Sequence, residues 1–116
     1  MVEAPIAATI YEAARTYSTD REARAACLAA LVRDLSGSSG PARLVIEQDD
    51  SLIRSDRHEL YQLVRQAGIS ETVEYRHQRA FEDPLLALPD VVAWCWARSG
   101  EWRRRIRPIL VAVRHV

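Results

Sequence analysis

Residues 18–50 read STDREARAACLAALVRDLSGSSGPARLVIEQDD, a helical period, a polar loop and a short apolar block in direct succession. Thr19 and Glu22 have the spacing of a capping box. Ala25, Leu28, Ala29, Val32 and Leu35 then recur at intervals of three and four, which predicts a helix over 20–35. Residues 36–40 are Ser and Gly and end it. The block ARLVIE is short, rich in branched side chains and does not alternate with polar residues, so it reads as a strand buried on both faces. A helix leading through a short loop into such a strand is half of a βαβ unit. That restricts the chain to α/β architectures with parallel pairing.

The remaining segments agree. In PIAATIYEA, residues 5–13, Ile6, Thr9, Ile10 and Tyr11 favour extended structure while the alanines weaken it. SDRHELYQLVRQAG predicts a second helix starting near Ser55 or Asp56. Leu60, Leu63, Val64 and Ala67 form its apolar face, and Gly68 stands at the position after the C-cap. ETVEYRHQRA alternates Val73, Tyr75 and His77 against Thr72, Glu74 and Arg76, the period of a half-exposed strand. A last long helix follows, and RPILVAVRHV closes the chain as a strand, with a helix as the alternative. The expectation is one α/β domain over 1–116, with a small three- to four-stranded, largely parallel sheet and helices packed on it.

Composition narrows the function classes. All sixteen basic residues are arginine and are balanced by sixteen acids, so the chain as a whole has no charge with which to attract a polyanion. The arginine and alanine bias is that of a GC-rich bacterial genome. No apolar run approaches the roughly 20 residues of a membrane span, and the first residues lack a secretory pattern, which predicts a cytoplasmic protein. Cys27 and Cys95 lie in apolar helical segments without metal-type spacing and read as buried reduced thiols. The three histidines show no zinc spacing, and no nucleophile elbow or phosphate loop is present.

The stretch EDPLLALPDVVAWCWARSGEWRRRIRP, residues 82–108, raises the sharpest question, since it places Asp90 inside an apolar run. Asp83 as N-cap and Pro84 at the first position start a helix; Pro89 interrupts it one turn later. A restart at Leu88 puts Asp90 in a first turn, where the helix dipole favours a carboxylate. There it either caps free amides or projects towards the strand ends. Glu47, Asp49, Asp50 and Asp56 supply oxygens of the type that Mg²⁺ or Mn²⁺ prefers, although strands commonly end in acids for solvation alone. Trp94 and Trp96 point about 200° apart on a helix, so one enters the core and the other meets a loop, an edge or a partner. Arg103, Arg104, Arg105 and Arg107 either solvate a helix end or bind phosphate groups, as in a nucleic acid.

The segments RLVIEQDD, RSDRHEL and VEYRHQRAFEDPLLALPDVVAW resemble the C-terminal part of a broad group of uncharacterised bacterial proteins with a ribonuclease-H-like fold. That group opens with an Asp-Glu-Ser strand and carries a late helix near Pro-Leu-Leu-x-x-Ala-Asp-x-x-Ala; the match here is PLLALPDVVAW. The resemblance spans residues 20–107. It implies acids that gather divalent metal for phosphodiester cleavage, with Glu47 or Asp49 ending the central strand and Asp90 on the last helix. The acid of the first strand has no counterpart, because the Asp-Glu-Ser strand is missing. Two function classes follow. One is a catalytically degenerate binding or interaction module. The other is a Mg²⁺- or Mn²⁺-dependent nuclease with Glu47, Asp49 and Asp90 as ligands and the arginines on phosphates. Loss of an opening hairpin would also leave a sheet edge to be covered or paired, for which a homodimer is one solution.

Overall fold

The computed structural model describes residues 6–38, 40–79 and 81–116. Pro5, where the first predicted strand begins, and Ser39 in the first loop lie outside them. The chain runs β1 (Ala8–Glu12), α1 (Asp20–Ser36), β2 (Ala42–Glu47), α2 (Ile53–Gln66), β3 (Val73–Gln78), α3 (Ala87–Arg98), α4 (Gly100–Ile106) and β4 (Leu110–His115). Short 3₁₀ turns at Pro84–Leu86 and Arg107–Ile109 lead into α3 and β4.

Local chemistry explains most boundaries. Thr19 caps α1 by accepting from the Glu22 amide at 3.1 Å, while the Glu22 carboxylate accepts from the Ser18 amide at 3.1 Å. Both donors would otherwise lack a partner. At the end of α2, Gly68 takes φ +72° and donates to Arg65, and Ile69 donates to Val64, a complete left-handed C-terminal motif. The start of α2 departs from expectation. It begins at Ile53 behind a loop held by the Asp49 carbonyl and side chain, so Asp56 lies within the helix and does not cap it. Pro89 is accommodated because it is the third residue of α3, where no intrahelical donor is needed. Asp83 caps the 3₁₀ turn by accepting from Leu85 at 3.0 Å.

The four strands pair in parallel, but in two separate pairs. β1 lies beside β4, and β2 lies beside β3. The single sheet expected from sequence is thus divided: among the described residues β1 pairs with the C-terminal strand alone and leaves β2 to β3. Leu28 and Val32 of α1 and Leu60 and Val64 of α2 form one core against Leu44, Ile46 and Tyr75. Val92, Cys95 and Ile106 form a second against Ala8, Ile10, Trp96 and Ile109. Helix α1 bridges the two halves. Its Leu28 and Val32 enter the first core, while Asp34 accepts from the Tyr11 hydroxyl at 2.6 Å and Cys27 Sγ lies 3.7 Å from the Tyr11 carbonyl oxygen on β1. Both cysteines are free thiols; Cys95 is buried as expected, whereas Cys27 is only partly buried. No described helix is long and apolar enough to cross a membrane.

Candidate functional site

In parallel sheets the carboxyl ends of the strands gather loops and ligands. At the ends of β2 and β3 the structure brings together residues from three elements. Asp56, on the first turn of α2, is 2 % exposed and receives both Nε and a terminal nitrogen of Arg24 from α1, at 2.8 and 2.7 Å. His77 Nε2 on β3 stands 3.5 Å from the same carboxylate. The His77 side chain is 1 % exposed, and among the described residues neither ring nitrogen has a hydrogen-bond partner. Burial pushes the Asp56 carboxyl up, but the Arg24 hydrogen bonds and charge, with His77 beside them, outweigh it and hold the group below the usual carboxylate range.

Sequence reasoning placed His77 inward but missed this convergence. A signal existed: Arg24 shares a stripe with Leu28 and Val32, and Asp56 shares one with Leu60 and Val64, each at steps of four. A charged residue extending an apolar stripe needs a partner of opposite sign. What the stripes do not tell is that they meet each other.

The sequence-predicted ligands take other positions. Glu47 ends β2 and is exposed. Asp49 accepts from the Ser51 hydroxyl at 2.6 Å and its amide at 2.9 Å, and these bonds draw its carboxyl below the ordinary range. Asp50 accepts from Gln48 and Arg79, each at 3.0 Å. Asp90 is exposed in the first turn of α3, where the restart after the 3₁₀ turn puts it. Among the described residues, no group of three or more His, Cys, Asp or Glu side chains is placed to hold a metal ion.

The arginine run divides. Arg103 donates twice to the Trp96 carbonyl, at 3.1 and 2.8 Å, and stacks 3.8 Å above the Trp96 ring, so it closes the end of α3. Arg105 pairs with Glu101 at 3.2 Å, while Arg104 and Arg107 are exposed. The tryptophans separate as their spacing requires. Trp96 packs on the second core and donates to Glu12 at 2.8 Å; Trp94 is half exposed and meets Trp102 edge-on at 5.1 Å.

A further feature is apolar. A cleft of about 810 Å³ runs along β1 and is bounded by Leu31 of α1, Leu44 of β2, and Leu88, Val92 and Trp96 of α3. Its chemistry is that of a protein interior opened to one side. Its hydroxyls are those of Thr9 and of Tyr11, which donates to Asp34, and its one charged side chain among the described residues, Glu12, already binds Trp96 and stands 3.4 Å from His115. Such walls bind apolar surface. No family model, curated protein or solved structure matches the chain.

Proposed function

We propose that this chain is a binding module of ribonuclease-H-like descent, without nuclease activity, whose partner enters the apolar cleft beside β1. The observation that carries the reading is the cleft itself: a space lined by aliphatic and aromatic side chains within an α/β scaffold. Burying it would contribute to association through the hydrophobic effect. Among the described residues no three His, Cys, Asp or Glu side chains are placed to hold a metal ion, which supports this reading over the nuclease alternative, with its need for carboxylates on both sides of a phosphate.

The test has two arms. The apolar dye 1-anilinonaphthalene-8-sulfonate should bind the folded protein, with its near-ultraviolet dichroism intact, and binding should be lost in Leu88→Arg, which places a charge in the cleft wall. Mg²⁺ or Mn²⁺ should leave the melting temperature unchanged, and single-stranded, double-stranded and hybrid substrates should remain uncut. A Mn²⁺-dependent rise in melting temperature that Asp90→Asn removes, together with cleavage, would replace the module with the nuclease.

A further inference from the structure

Resting on that reading, we infer that the cleft is the seat of an absent central strand: an extended, uncharged, Val- and Ile-rich segment of another polypeptide inserts there and hydrogen-bonds along the free edge of β1. The argument begins with backbone parity. The Val116 amide donates to Glu12, and the Val116 carbonyl accepts from Ala14. The regular register from Thr9 to Glu12 therefore turns the peptide groups of Ile10 and Glu12 towards β4, and those of Thr9 and Tyr11 the opposite way. Among the described residues, β1 has no second strand partner. The polar atom that approaches this edge is the Cys27 thiol, a weak donor 3.7 Å from the Tyr11 oxygen.

The cleft runs along the whole of β1. Every residue from Ile6 to Glu12 lines it, including neighbours whose side chains point to opposite faces. Beyond it stands Leu44 of β2, a strand that among the described residues is also paired on one side only. On β2, Ala42 and Gln48 donate towards β3, so Arg43, Val45 and Glu47 turn their peptide groups away from it. Leu31 of α1 and Leu88 and Val92 of α3 complete the walls. A strand seated there would meet apolar side chains from both helices, which is the environment that selects near-continuous hydrophobic strands. Because β1 has five residues, about five residues of the occupant would pair with it. A small apolar ligand could fill the volume but would leave the Thr9 and Tyr11 peptide groups unpaired against it, an unfavourable burial. An added strand satisfies them, as in β-augmentation.

The experiment uses the whole chain and a blocked peptide, acetyl-Lys-Thr-Val-Ile-Val-Ile-Thr-Lys-amide, whose terminal lysines maintain solubility. A depsipeptide with the same side chains but esters in place of the core amides serves as control. Titration calorimetry and amide hydrogen exchange should show that the peptide binds and slows exchange at Thr9 and Tyr11. The depsipeptide should bind at least about tenfold more weakly, and Leu88→Arg should bind neither. Equal binding of the two would make the cleft a site for apolar ligands and overturn the strand while leaving the module reading intact. Dye binding without peptide binding has the same consequence; failure of both overturns both. A sedimenting dimer in which Thr9 and Tyr11 are already protected would assign the cleft to a second copy and overturn insertion of a foreign strand.

Discussion

Replacing Arg24 with Ala should destabilise the protein by about 3 kcal/mol at pH 7, the lower end of the range for removing one partner of a buried ion pair. The figure follows from asymmetric exposure. Asp56 is 2 % exposed and loses two charge-assisted hydrogen bonds of 2.8 and 2.7 Å, while the Arg24 side chain is 37 % exposed, so water recovers part of the loss. Urea titration followed by tryptophan fluorescence measures it, with Arg24→Ala/Asp56→Asn as the companion variant. The double variant should regain part of the stability, because no carboxylate is then left buried without its guanidinium. The pH dependence provides a second check. In the parent protein the folded-state pKa of Asp56 lies below its unfolded value, so its contribution is full above about pH 4 and is lost as pH falls through the folded value. Without Arg24, burial dominates and raises the folded pKa above the unfolded one. Folding then takes up a proton, and the stability of the variant should rise as pH falls from neutral towards about 4. A loss below about 1 kcal/mol at pH 7, or a variant whose stability declines in parallel with the parent over that range, would refute the reasoning.

Three further outcomes follow from packing, titration and capping. Leu60 is fully buried at the centre of the first core, so Leu60→Ala should cost about 2–5 kcal/mol, read as a lower urea midpoint with an unchanged slope. Burial and the hydrogen bond to Asp34 push the Tyr11 hydroxyl up to about 12, so its phenolate should appear late in an ultraviolet titration. The folded form holds this proton more tightly than the unfolded chain, and the associated stability should therefore be lost as pH rises from about 10; Tyr11→Phe should remove that dependence. Thr19→Ala should cost about 1 kcal/mol by chemical denaturation, because it leaves the Glu22 amide without its acceptor.

Elements governed by neighbours in sequence were legible from the residues alone. Thr19 and Glu22 announce the start of α1, Gly68 the end of α2, and Asp83 with Pro84 the turn before α3, because caps and turns are satisfied within a few residues. Periodicity likewise put Leu28, Val32, Leu60 and Val64 inside and separated Trp94 from Trp96. It also made the tail a strand, as β4 is, but did not say that Val111, its second residue, is 71 % exposed, since an edge strand can leave an apolar side chain in solvent. Periodicity names a face but not what covers it. The peptide groups along one strand edge resemble those along another, so nothing local directs β1 to β4 and away from β2. Nor does anything local say that the Arg24, Asp56 and His77 stripes, 32 residues apart between the first two, end at one point. The amino-acid sequence by itself determined most of the elements, caps and buried faces, though not the start of α2 or the division of the expected last long helix into α3 and α4 at Ser99. Only the tertiary structure decided which edges remain open and which charges share a buried site, because those depend on long-range packing that no segment contains.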